Sequence, residues 1–186
     1  MKVLHFLSIA LFGILLTVSS CTVDEPEDPK EEEVITTLRY TLTPTGGGDA
    51  VTFEFQDIDG DGGDDPIITN GTLTANTSYT GSIELLNEAT SPVEDVTVEI
   101  RAEKEDHQFF YTTTATDLTI GYTDFDADNN PVGLETAVNT SDAGNGTLTI
   151  VLRHEPDKLG TDVINGDITN AGGETDIEVT FDVTIQ

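Results

Sequence analysis

Ile177-Glu178-Val179-Thr180-Phe181-Asp182-Val183-Thr184-Ile185 sets apolar and polar residues in strict alternation. Successive side chains of a β-strand point to opposite faces, so this run predicts a strand with one buried and one wet face. The same period of two recurs upstream. Val51, Phe53 and Phe55 alternate with Thr52, Glu54 and Gln56; Val96, Val98 and Ile100 alternate with Thr97, Glu99 and Arg101. Leu148, Ile150 and Leu152 share one parity, and weaker runs cover Leu38-Tyr40-Leu42, Ile67 to Leu73, Tyr79 to Leu85, His107 to Thr113 and Leu118 to Tyr122. No stretch shows the helical period. Gly46-Gly47-Gly48, Asn70-Gly71, Asn145-Gly146, Asn165-Gly166 and Gly172-Gly173 supply turn chemistry between the runs. About eight to ten short strands with frequent turns predict an all-β fold, an antiparallel immunoglobulin-like β-sandwich, with a small β-barrel as the alternative.

A chain of 186 residues accommodates one such domain. Lys plus Arg number 7 against 36 Asp plus Glu, a net charge of -29. That field repels nucleic acid, whose binding rests on Lys and Arg neutralising phosphates, so no nucleic-acid partner is expected. It also repels anionic lipid head groups, which leaves covalent or hydrophobic attachment to a membrane. Cations, or a basic partner, are what it attracts.

The N-terminus has the parts of a secretory leader: Lys2, an apolar stretch from Val3 to Val18, then Ser19 and Ser20 before Cys21. Val18-Ser19-Ser20-Cys21 resembles the bacterial lipobox, in which the cysteine thiol is acylated and becomes the new N-terminus. Residues 1–20 are thus expected to be a signal peptide, and Cys21 a lipidation site that anchors the protein to the membrane. As the single cysteine of the chain, Cys21 also leaves no disulfide and no thiolate metal site. Residues 21–33 continue as an acidic tether with two prolines, Pro26 and Pro29, too poor in apolar groups to order itself. Extended, it reaches roughly 35–40 Å. Acidic residues soon after the cysteine resemble the surface-export signals of some Bacteroidetes-type lipoproteins; a plain linker on a periplasm-facing lipoprotein is the other reading. The folded body is placed at 34–186.

Three constellations could hold a cation. Asp57, Asp59 and Asp61 alternate before Gly62, with Asp64 and Asp65 following, as in loops that wrap carboxylate oxygens around calcium. Ile68 stands at the twelfth position, where an EF-hand has glutamate. A solvated Asp- and Gly-rich hairpin loop is the alternative. Asp124, Asp126 and Asp128 form a second alternating set with Glu135 at the twelfth position; Asn129 replaces the expected glycine and tolerates a left-handed backbone. Third, His107 shares parity with Phe109 and Tyr111, and His154 with Leu152. Both then sit at inner strand ends, where two imidazoles could meet over Zn²⁺ or Cu²⁺ with help from Glu155 or Asp157, or be satisfied separately at the sandwich rim.

For catalysis there is no G-x-S-x-G elbow, no H-E-x-x-H and no Cys-His pairing, so the expectation is a non-enzymatic protein. The leader with VSSC, the loop DIDGDGGDDP, Gly71 to Glu88, the segment EDHQFFY and the ending GGETDIEVTFDVTIQ resemble small lipoproteins of flavobacteria and their relatives. That group carries the label "type 1 periplasmic binding fold superfamily protein". The label implies a two-domain α/β structure, whereas the alternating runs of this chain predict strands without crossover helices. The resemblance implies an outer-membrane lipoprotein that accompanies a TonB-dependent receptor and captures a metal ion or small solute. A structural or adhesive surface protein, with calcium stiffening its acidic loops, is the other role expected.

Overall fold

The computed structural model describes residues 33–60 and 62–186; the leader, Cys21, the acidic segment through Glu32, and Asp61 lie outside the described residues. In chain order the first strands are β1 (Thr37–Pro44), β2 (Val51–Gln56), β3 (Ile67–Thr69), β4 (Gly71–Leu73), β5 (Ser78–Asn87) and β6 (Glu94–Asp95). A short helix, α1 (Val96–Ala102), follows. The remaining strands are β7 (His107–Thr113), β8 (Leu118–Tyr122), β9 (Glu135–Thr140), β10 (Gly144–His154) and β11 (Glu174–Ile185).

These strands make two sheets. One runs β3-β2-β1-β5-β9-β8, with β6 paired to β5 off that path; the other runs β4-β11-β10-β7. Neighbours are antiparallel except β4 and β11. Neither sheet closes on itself, so the fold is the sandwich and not the barrel. The inner faces interdigitate: Leu38, Tyr40, Leu42 and Phe53 from the first sheet meet Leu148, Ile150, Leu152, Val179, Phe181 and Val183 from the second, all buried. Phe53 and Phe181 pack edge to face with ring centroids 5.6 Å apart. Each such side chain contributes about 1.5–3 kcal/mol by leaving water.

Three elements differ from the sequence expectation. Val96–Ala102 is a helix and not a strand. Its buried apolar residues are Val96 and Ile100, four apart, while Val98 is 65 % exposed. The Asp95 carboxylate caps the first turn by accepting from Thr97 N at 3.1 Å. Thr97 Oγ1 in turn accepts from Leu85 N and donates to Leu85 O, occupying main-chain groups of β5 that a further strand would have taken. Asn145-Gly146 lies inside β10 and is no turn. A Cβ on Gly146 would lie 2.4 Å from Ala115 N, so the glycine is there for close backbone approach. Finally, β9 escapes the alternation test because two of its inward residues are threonines. Thr136 shares a 2.7 Å hydrogen bond with the Tyr40 hydroxyl, and Thr140 Oγ1 donates to Thr74 O at 2.7 Å.

The outer face of β7 and β10 is covered by the segment between β10 and β11, which holds two 3₁₀ turns, Val163–Asn165 and Ile168–Asn170. Val163 and Ala171 pack there on Phe110 and Val151, and Gln108 Nε2 donates to Val163 O at 3.1 Å. β7 is therefore buried on both faces at its start, where His107 lies. No helix among the described residues is long and apolar enough to cross a membrane.

Candidate metal centre

His107 opens β7 and His154 closes β10, and the antiparallel register sets them directly opposite one another. Two carboxylates complete the group. Asp176 lies in β11, where the pairing with β10 slips between Leu152 and Arg153: Leu152 faces Ile177, but Arg153 faces Thr175. Asp176 is thus the extra residue of a β-bulge, a device that re-aims a side chain. Its parity is opposite to the inward Ile177, yet its side chain is only 2 % exposed. Glu33, from the coil before β1, supplies the fourth group, 3 % exposed.

One ligand atom from each of Glu33, His107, His154 and Asp176 lies within 4.8 Å of every other. His107 Nε2 is 2.9 Å from Glu33 Oε1 and 3.9 Å from Asp176 Oδ2. His154 Nδ1 is 3.4 Å from Glu33 Oε2 and 3.9 Å from Asp176 Oδ1. Ligand atoms about 2.0–2.2 Å from a tetrahedral zinc ion stand roughly 3.3–3.6 Å apart, and the four histidine–carboxylate distances bracket that spacing.

The electrostatics ask for a positive charge. His107 Nδ1 lies 3.0 Å from the carbonyl oxygen of Glu103, the C-cap of α1. Opposite a carbonyl oxygen, Nδ1 donates, so a neutral ring carries its lone pair on Nε2. That lone pair would face a carboxylate oxygen at 2.9 Å, acceptor against acceptor. A proton on Nε2 or a metal ion relieves the clash. Glu33 Oε2 is buried and accepts no hydrogen bond. Two carboxylates beside two neutral imidazoles carry two negative charges in a nearly closed space, which a divalent ion cancels. The Nδ1 to Glu103 contact is the kind of outer support that orients a metal-binding imidazole.

The two histidines were legible candidates; their carboxylate partners were not. Glu155 follows β10 with a left-handed φ of 49°, and Asp157 Oδ1 accepts from Leu159 N, so neither joins the group. Glu33 counted as the last residue of the tether, and Asp176 sat at an outward parity.

The acidic loops are arranged differently. Asp57 Oδ1 accepts from Gly60 N at 2.9 Å and Asp59 Oδ2 from Asp64 N at 3.0 Å, while Asp64 and Asp65 are exposed. Asp61 lies outside the described residues. In the second segment Asn129 is left-handed, φ 65°. Asp124 accepts from Gly133 N and Leu134 N, and Glu135 from Arg101. Asp126 accepts from Asp128 N and Asn130 N, and its other oxygen lies 3.1 Å from Lys158 Nζ. An ammonium thus stands against the carboxylate expected to meet calcium. Burial pushes the Asp126 carboxyl up, but hydrogen bonds from Asn130 and the Lys158 ammonium outweigh it and hold the group below its ordinary range. Among the described residues, the Glu33 group is the one place where three or more His, Cys, Asp or Glu side chains converge within ligand distance.

Fold and site define a two-sheet β-sandwich with a buried group of two histidines and two carboxylates able to hold a metal ion. No protein-family model matches this chain, and no curated protein matches it.

Proposed function

We propose that this chain is an envelope lipoprotein whose sandwich serves as a non-enzymatic metal-binding accessory module, with Zn²⁺ the best match and Cu²⁺ next. The observation that carries this reading is the convergence of Glu33, His107, His154 and Asp176 from four separate segments onto one nearly buried point. Two imidazole nitrogens and two carboxylate oxygens suit a borderline ion; calcium takes six to eight oxygens and is a poor match. Four protein ligands in a closed set favour holding an ion over activating water on it. Lipid on Cys21, an outer-membrane location and a TonB-dependent receptor as partner rest on Val18-Ser19-Ser20-Cys21 and on the resemblance of the chain to flavobacterial lipoproteins. A purely structural or adhesive role with calcium-stiffened loops has less support, because Asp57 and Asp59 direct oxygens to their own loop's main chain.

The test uses the full protein, extracted from membranes in detergent and stripped with a chelator. Titration with Zn²⁺ should show one ion per chain and a raised melting temperature, since a ligand specific for the folded state stabilises it by about 2.7 kcal/mol at a hundredfold excess over Kd. The absence of both binding heat and a thermal shift with Zn²⁺ and with Cu²⁺ would sink the proposal. Palmitate labelling that persists in Cys21→Ala would remove the anchor.

A further inference from the structure

We infer that Glu33 is a displaceable fourth ligand, so that the ion at this site is exchangeable cargo and not a fixed structural element; the inference rests on the metal-binding reading above. Three ligands are held by sheet structure. His107 and His154 are the terminal rung of the β7–β10 ladder, and Asp176 is turned inward by the bulge in the adjacent β11. His107 is fixed further by Glu103 O. Together they form a rigid three-point socket on one sheet.

Glu33 is held in another way. It lies in coil, four residues before β1 begins at Thr37. Among the described residues the first main-chain hydrogen bond of this segment is Thr36 N to Leu86 O; the main chains of Glu33, Val34 and Ile35 make none. Val34 is 60 % exposed, and Ile35 alone of the two packs against the core. What seats Glu33 is its own carboxylate, through the 2.9 Å contact with His107 Nε2. Segments with few buried contacts and no main-chain bonds open locally at small cost. Displacing Glu33 therefore uncovers the socket without disturbing a strand. The ion then keeps three protein ligands and gains an open position, through which an acceptor's ligand can enter and draw it away. His154, at 17 % side-chain exposure the most accessible of the four, marks the open side.

Zinc release to excess chromogenic chelator, followed by stopped flow, tests this on the full protein and on Glu33→Ala and Glu33→Gln. In the wild type, release should run faster than global unfolding measured under the same conditions. In both variants zinc should still bind, with release about tenfold faster or more, since affinity changes within one site appear mainly in dissociation. A denaturant melt of each apo variant establishes that it folds. Wild-type release that merely tracks unfolding overturns the inference, as does an unchanged rate in Glu33→Ala. Complete loss of zinc binding in a folded Glu33 variant overturns it too, by making Glu33 obligatory. No zinc binding by the wild type instead overturns the metal-binding reading itself.

Discussion

His107 and His154 stand directly opposed across the β7–β10 ladder, their imidazole centroids 4.6 Å apart. Two rings so close, both beside the same pair of carboxylates, share one electrostatic problem and one solution to it. The two positions differ in burial, however: the His107 side chain is fully buried and that of His154 is 17 % exposed.

That difference separates metal binding from stability. His107→Ala removes a ligand, a fully buried side chain and one of the two donors to Glu103 O, which keeps Asp106 N; the lost hydrogen bond alone costs about 0.5–1.5 kcal/mol. His154→Ala should abolish zinc binding to the same extent, with a smaller loss of apo stability. Urea melts with and without Zn²⁺ measure both quantities. Zinc stabilising either alanine variant as much as the wild type would refute the assignment.

The body of the fold was readable because a sandwich writes itself as alternation. Ile177 to Ile185, Val51 to Phe55 and Leu148 to Leu152 all face inward by the parity that the sequence displays. Val96 to Ile100 misled because Val96 and Ile100, four apart, share a face in a strand as well as on a helix, and Val98, which a helix turns outward, happens to be apolar; the deciding contact is Thr97 with Leu85, twelve positions away. β9 was hidden because Thr136 and Thr140 carry hydroxyls into the interior where they find partners. At the site, parity placed both histidines inward. Asp176 depends on a bulge that ETDIEVT does not announce, and Glu33 on a coil packing against a sheet end remote in sequence.

Asp126 gives the protein an acid limb. Its folded carboxyl lies below the ordinary value, so its contribution is fully present above the unfolded pKa and lost as pH falls through the folded one. The window therefore lies below about pH 4, the ordinary carboxyl range. Asp126→Asn should lower stability at pH 7 and flatten that limb. Denaturant midpoints from pH 6 to pH 2.5 would show it; parallel curves for variant and wild type would contradict the pairing with Lys158.

Gly146→Ala tests the crossing of β10 by the chain at Ala115. The added methyl would meet Ala115 N at 2.4 Å and Ala115 Cα at 2.7 Å, main-chain atoms that cannot swing aside. Overpacking of this kind costs about 1–3 kcal/mol. Gly121→Ala in β8 is the control, because nothing lies within 4 Å of its added carbon. It should be neutral or gain up to about 1 kcal/mol from reduced chain entropy. Equal effects at the two positions would mean that the approach at Ala115 is looser than described.

Thr97→Val isolates what a single hydroxyl does for the junction of α1 and β5. Valine keeps the branched shape but cannot accept from Leu85 N or donate to Leu85 O, both within a buried contact. An unmet main-chain pair there should cost about 1–3 kcal/mol. Asp95→Ala removes only the cap and should cost about 0.5–2 kcal/mol. The exposed Thr149–Thr180 hydroxyl pair is the matched reference, and Thr149→Val should change stability by no more than about 0.5 kcal/mol. Because α1 ends at Glu103, whose carbonyl orients His107, Thr97→Val should also weaken zinc binding although it lies outside the metal centre. Calorimetric zinc titration of the folded variant reads this directly, and an unaltered Kd beside a lowered melting point would show that α1 stabilises the sandwich without positioning the imidazole.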